Sequence, residues 1–199
     1  MRRATATRKS QETNITVTVN LDGRGKTSAR TGMPFLDHML TLFGTHGLCD
    51  LTVKASGDLD IDRHHTNEDI VLVLGQALDK ALGARKGITR FGFAYVPMDE
   101  ALVRVVLDIS GRPKLVLRDA RPARARRESS STDYSWGDAE HLLESLARTS
   151  KVTLHIDVLA GSDFHHTCEA VFKALGRAFE QATRLHPRVK GIPSSKGRL

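Results

Sequence analysis

Asp62-Arg63-His64-His65-Thr66-Asn67-Glu68 recurs one hundred and one residues later as Asp163-Phe164-His165-His166-Thr167-Cys168-Glu169. Each copy leads a run with helical periodicity, carried by Ile70, Val71, Leu74, Leu78 and Leu82 in the first and by Val171, Leu175, Phe179 and Ala182 in the second. Asp62 and Asp163 stand at the N-cap position, where a carboxylate accepts from free backbone N–H groups of the first turn. The histidines therefore fall in that turn. Residues four apart share a helix face and residues three apart are within reach, so each glutamate can converge with either histidine before it. Adjacent side chains, in contrast, diverge by about 100°. A His-His pair thus serves one cation poorly and two cations well, and each copy reads as a hinge between two metal sites. A lone His-His pair is ordinary surface chemistry. Two copies sharing Asp, His, His, Thr and Glu, each opening an apolar helix, imply a duplicated metal-binding unit.

The same order of elements surrounds both copies. Residues 15–21 alternate apolar and polar with β-branched side chains, as a half-buried strand does. Asp22-Gly23-Arg24-Gly25 is a turn into a second strand that runs to Thr31, and Ser28 stands where a nucleotide loop would need its third glycine. Pro34 opens a helix with Leu36, Met39, Leu40 and Phe43 on one side and His38 in its first turns, ending between Gly44 and Gly47; residues 48–55 form the next strand. In the second half, residues 91–96 and 102–109 read as a hairpin around Pro97-Met98-Asp99-Glu100, and residues 113–117 as a further strand. Asp138 is placed to cap a helix with Leu142, Leu143 and Leu146, and with His141 in its first turn; residues 151–158 form a strand. Residues 118–135, rich in Arg and Ser, are expected to be the least structured. The expected organisation is a basic arm over 1–11, a first repeat over 12–88, a second over 89–186 and a tail over 187–199, in a duplicated α+β chain.

Composition narrows the function. The 199 residues are 40% hydrophobic, enough for a real core. The longest apolar run, Ile70 to Leu74, is too short for a signal core or a membrane span, and a cytoplasmic address is expected. Cys49 and Cys168 are the only cysteines, so no disulfide framework is expected; Cys168 faces Asn67 in the other copy and reads as a packing residue. The net charge of +7 comes from residues 1–9 (+4) and 118–127 (+4), which leaves the remaining body near neutral. With seven Phe, two Tyr and one Trp, base-stacking platforms are scarce, and nucleic-acid binding is not expected.

His38 and His141 extend the repeat, so the duplication pairs His38, His64, His65 and Glu68 with His141, His165, His166 and Glu169. Shared between two equivalent ions, these residues give each one three imidazoles and one carboxylate. A set without thiolate suits Mn²⁺, Fe²⁺, Co²⁺ or Zn²⁺. A six-coordinate ion keeps two positions open for chemistry. His155 and His186 read as surface residues, and His46 fits either role. Asp58-Leu59-Asp60-Ile61-Asp62 is no calcium loop, because Arg63 replaces the required glycine.

Further motifs accompany the ligands: Thr31-Gly32-Met33-Pro34-Phe35-Leu36-Asp37-His38-Met39-Leu40, Val96-Pro97-Met98-Asp99-Glu100, Ser110-Gly111-Arg112-Pro113 and Pro193-Ser194-Ser195-Lys196-Gly197. With the two His-His-x-x-Glu copies they resemble the imidazoleglycerol-phosphate dehydratase family of histidine biosynthesis, from about Glu12 to Leu199. The resemblance implies a lyase that converts D-erythro-imidazole glycerol phosphate to imidazole acetol phosphate and water. It implies two Mn²⁺ per chain in sites shared between subunits, and a homo-oligomer of 24. The implied fold is ribosomal-protein-like, each half a mixed four-stranded sheet with two helices packed on one face. By matching position, Glu12, Arg90, Arg112, Ser194, Ser195 and Lys196 contact the substrate, and the basic and hydroxyl groups among them suit its phosphate. The substrate carries no carbonyl to acidify the departing proton, so the expected route passes through a metal-stabilised imidazolate. Glu12 is the expected proton shuttle, with a metal-bound water as its competitor. The chain departs from the family pattern at residues 118–137, and it lacks the Asp-x-Asp-x-Thr segment of relatives with a fused phosphatase. The alternatives are a di-metal hydrolase and a metal-stapled structural assembly protein.

Overall fold

The computed structural model describes residues 1–121 and 134–199. The segment expected to be least structured therefore lies largely outside the described residues. The first half contains β1 (Arg3–Lys9), β2 (Thr13–Asn20), β3 (Thr27–Arg30), α1 (Pro34–His46), β4 (Asp50–Gly57) and α2 (Arg63–Leu82). The second contains β5 (Phe91–Met98), β6 (Ala101–Asp108), β7 (Lys114–Asp119), α3 (Trp136–Ser150), β8 (Thr153–Ala160) and α4 (Phe164–Thr183). The two element orders are identical.

Each half makes one four-stranded sheet, in the orders β1-β2-β4-β3 and β5-β6-β8-β7. The first three strands of each order pair antiparallel, and the last pairs parallel. The parallel pairs β3/β4 and β7/β8 are joined through a helix, as a parallel connection requires. Helices α1 and α2 pack on the first sheet, α3 and α4 on the second, and the helix layers meet through α1 against α4 and α2 against α3. The order of layers is sheet, helices, helices, sheet. Strand alternation points Ile15, Val17, Leu51 and Val53 inward from the first sheet, and Val103, Val105, Leu154 and Ile156 from the second, all at 0% exposure.

Two expectations need correction. Within the basic arm expected over 1–11, residues 3–9 are an edge strand of the first sheet, paired with β2 from Arg3 opposite Asn20 to Lys9 opposite Asn14. Their inward positions are the small Ala4 and Ala6, so composition reports only the outward Arg and Thr side chains. The cap of α3 is Ser135 rather than Asp138. Ser135 accepts from the Asp138 N–H and Asp138 accepts from the Ser135 N–H, a capping box that starts the helix three residues earlier. Beside it Arg121, 4% exposed, forks onto Asp119, reaches Thr167 Oγ1 at 3.2 Å and lies 4.6 Å above the Trp136 ring.

Two glycines set how closely the helix layers meet. A Cβ on Gly176 would stand 2.6 Å from the Phe43 carbonyl oxygen and 2.9 Å from the Gly47 nitrogen. One on Gly75 would stand 1.8 Å from Thr149 Oγ1 and 3.0 Å from the Ser150 nitrogen. Each glycine follows the first histidine of its copy by eleven residues, about three helical turns, and so shares that histidine's face. The missing side chain lets α1 approach α4, and α3 approach α2, closely enough for their first turns to meet.

Candidate metal centre

Asp62 and Asp163 cap α2 and α4 as expected, accepting from the His64 N–H at 3.0 Å and the His166 N–H at 2.9 Å. The paired histidines diverge. Ring centroids of His64 and His65 are 6.3 Å apart at an interplanar angle of 69°, and those of His165 and His166 are 6.4 Å apart at 81°.

The first histidine of each pair joins a cluster built from both halves. His38 on α1 meets His165 and Glu169 on α4, with both Nε2 atoms 2.8 Å from Glu169 Oε1. His141 on α3 meets His64 and Glu68 on α2, its Nε2 lying 3.8 Å from Glu68 Oε1 and its ring 4.6 Å from that of His64. In both clusters the ligand atoms lie within 4.8 Å of one another. The crossing is reciprocal: His38 serves the second half's pair and His141 the first's.

Burial alone would push the Glu169 carboxyl up, but bonds from His38, Lys173 and His165 outweigh it and hold it down at about 2. Glu169 is therefore an anion ready to ligate. His141 Nε2 is buried and has no hydrogen-bond partner among the described residues. Leaving such a group unsatisfied costs about 1–3 kcal/mol, a cost that a cation bound there removes. Two imidazoles and a carboxylate around such an atom fit a divalent cation of borderline hardness.

The second histidines face elsewhere. His65 Nδ1 lies 3.9 Å from Asp58 Oδ2 and 4.0 Å from Glu12 Oε2. His166 Nδ1 lies 2.8 Å from Glu100 Oε2, with Asp99 3.5 Å from its Nε2. The Glu100 carboxyl is held at about 2, chiefly by the Asp163 N–H, against the upward pull of burial, with His166 and the Ser162 N–H adding to it. One chain thus gathers two imidazoles and one carboxylate per cluster, not three and one.

The expected phosphate contacts gather at a different place. Arg90 forks onto Asp108 at 2.7 and 3.1 Å, donates to the Pro193 carbonyl at 2.9 Å and lies 4.7 Å above the Phe91 ring. Arg112 is 4.0 Å from the same Asp108, and Ser194, Ser195 and Lys196 follow Pro193 in the tail. Asp108 ends β6 while Glu100 precedes it, so the two places are about 26 Å apart along the strand. Glu12 lies at the histidine end, with its side chain 60% exposed.

Sequence reading did not include Lys173, whose Nζ is 2.5 Å from Glu169 Oε2; its signal was the four-residue spacing from Glu169 on a helix. Glu100, the last residue of the Val96–Glu100 motif, is a second such residue. His46 lines a cavity of about 480 Å³ with Thr45, Leu48, Phe93 and Arg177, and burial, then Lys173 and Arg177, lower its pKa. Both thiols are buried, and burial pushes Cys49 up to about 12 and raises Cys168 as well, which suits packing residues. Among the described residues no helix is long and apolar enough to cross a membrane.

Comparison with known proteins decides the family, because the imidazoleglycerol-phosphate dehydratase model matches residues 31–179. The chain belongs to the imidazoleglycerol-phosphate dehydratase family. The imidazoleglycerol-phosphate dehydratase of Acetivibrio thermocellus is 50% identical over 198 residues, spanning 100% of this chain and 99% of its own. That of Bacillus subtilis is 50% identical over 199 residues, with both chains fully covered. Among solved dehydratase structures, the Staphylococcus aureus enzyme matches with a TM-score of 0.79 and 34% identity, over 92% of this chain and 99% of that one. The Pyrococcus furiosus enzyme in complex with (S)-C348 matches with a TM-score of 0.77 and 36% identity, over 97% and 99%. The duplicated two-sheet architecture is thus that of the dehydratase family.

Proposed function

We propose that this enzyme dehydrates D-erythro-imidazole glycerol phosphate to imidazole acetol phosphate in cytoplasmic histidine biosynthesis, using two divalent cations, in the first instance Mn²⁺. The observation that carries the reading is the pair of crossed His, His, Glu clusters in a chain of this family. His38, His165 and Glu169 hold one cation, and His64, His141 and Glu68 hold the other. His65 and His166, turned away from the clusters of their own chain, supply the third imidazole to clusters of other copies. The phosphate-contacting residues Arg90, Arg112, Ser194, Ser195 and Lys196 likewise reach a histidine cluster from another copy, since about 26 Å separates the two places within one chain. A homo-oligomer follows, with 24 subunits as the family resemblance implies.

A bound divalent cation supplies the positive charge that lowers the pKa of an azole N–H and lets the ring delocalise negative charge. The chain supplies the rest. The arginines and Lys196 bind the phosphate and fix the carbon chain relative to the ring. Glu12, exposed and close to His65, takes the proton from the carbon beside the departing hydroxyl and returns it to the ring-bearing carbon as the enol becomes the ketone, while the enol O–H proton goes to the departed hydroxide to complete the water. The test is turnover of imidazole glycerol phosphate by chelator-stripped protein before and after adding Mn²⁺, with bound metal counted per chain. Activity returning at two ions per chain is the expected result. Two tightly bound ions without dehydration refute the dehydratase reading and leave the metal centre.

A further inference from the structure

The duplication makes Glu12 and Glu100 counterparts. Glu12 is the last residue before β2 and Glu100 the last before β6. In both halves Oε2 of this glutamate faces Nδ1 of the second histidine of the repeated string. The distances differ: 4.0 Å for Glu12 and His65, against 2.8 Å for Glu100 and His166. Glu100 is also pinned through its other oxygen, which accepts from the Ser162 N–H at 2.9 Å and the Asp163 N–H at 2.8 Å at the start of α4. Asp163 in turn accepts from the His166 N–H at 2.9 Å, so one short network fixes both backbone and ring. The Glu12 carboxylate has no hydrogen bond among the described residues.

We propose that Glu100 is a positioning residue that sets the tautomer and orientation of His166, so that its Nε2 presents a lone pair to a cation. This rests on the two-cation reading above. An ionised carboxylate can only accept, so the ring atom facing it must donate. A neutral imidazole with its proton on Nδ1 has its lone pair on Nε2, and Asp99, 3.5 Å from Nε2 and 69% exposed, makes no hydrogen bond that would hold that atom as the donor. Partners of this kind raise ligand basicity, and their loss weakens metal binding by about 10–100-fold. The duplication has therefore given one carboxylate a fixed duty and left its counterpart free to move protons.

Glu100→Gln tests the assignment with little change of shape. Its amide oxygen still accepts from Ser162 and Asp163, but its amide nitrogen presents N–H to His166 Nδ1, which must then accept and carry the ring proton on Nε2. Metal-free protein titrated with Mn²⁺, with free ion followed by electron paramagnetic resonance, reads the effect. One of the two ions should bind about 10–100-fold more weakly while the other keeps its affinity. Retention of that second ion shows that the variant is folded. Two unchanged affinities overturn the proposal, and equal loss of both overturns it too, by making Glu100 a general structural residue. Wild-type protein that binds fewer than two ions would instead remove the two-cation reading. In the same titration Glu12→Gln should leave both affinities unchanged.

Discussion

Gly176→Ala adds one carbon where α1 and α4 cross. That carbon meets the Phe43 carbonyl oxygen at 2.6 Å, the Gly47 nitrogen at 2.9 Å and the His46 carbonyl carbon at 3.3 Å. All three are backbone atoms, so no side-chain rotation relieves the contact. Ordinary contact begins at 3.4 Å, and the helices must therefore part by about 0.8 Å. Overpacking of this kind costs about 1–3 kcal/mol, while replacing a helical glycine by alanine returns about 0.5–1 kcal/mol. The net loss lies between about 0 and 2.5 kcal/mol, and its midpoint of about 1 kcal/mol is equivalent to a fall of about 2–4 °C in Tm for a chain of this size. Thermal unfolding followed by circular dichroism, at one protein concentration, measures it. Gly137→Ala is the control: among the described residues the only atom near that position is Ser135 Oγ at 3.6 Å, so this substitution should leave Tm unchanged or raise it. A Gly176→Ala protein that melts at or above the wild type would show that the crossing tolerates a side chain, and the account of how His38 reaches Glu169 would fall with it.

Glu12→Gln should lower kcat by about 10²–10⁴-fold with bound Mn²⁺ unchanged, and unaltered turnover would remove Glu12 from the proton transfers. Arg121→Met takes a buried cation from Asp119 and Thr167 and should cost about 3 kcal/mol in urea unfolding; a loss below 1 kcal/mol would show that the Trp136 stack suffices. Burial raises the Asp157 carboxyl, but bonds from Arg104 at 2.8 Å and Arg118 at 3.4 Å bring it below its ordinary value of 3.8. Its stabilisation is complete above that value and is lost as the pH falls below it, so Asp157→Asn should flatten the acid limb of the stability profile. An unchanged limb would mean that other carboxylates govern acid unfolding.

Local chemistry was the legible part of the chain. An Asp before each His-His pair fixes the helix start, Pro34 fixes another, and the divergence of neighbouring side chains on a helix already separates His64 from His65. Contacts made only in three dimensions were not legible. Nothing between Arg3 and Lys9 reveals that β2 is waiting to pair with it, since the inward alanines carry no hydrophobic signal of their own. Ser135 outranks Asp138 as a cap because the box satisfies both backbone groups at once, a geometry that either residue alone suggests equally well. The pairing of His38, His64 and Glu68 with His141, His165 and Glu169 is legible in the repeat, yet their division into two clusters is not. That depends on which helices cross, and Gly75 and Gly176 decide this through what they lack.

The reciprocal crossing bears on ancestry. Each cluster takes one histidine from one half and a His-Glu pair from the other, so a half-length chain with one copy of the string would form both clusters simply by dimerising with itself. Joining the halves adds no ligand. It lets the two clusters drift apart by mutation, as Glu12 and Glu100 have done, and as Lys173 beside Glu169 has done where the first half carries Leu72. A dimer of identical halves must change both ends together; the fused chain can pin one glutamate and leave the other exposed.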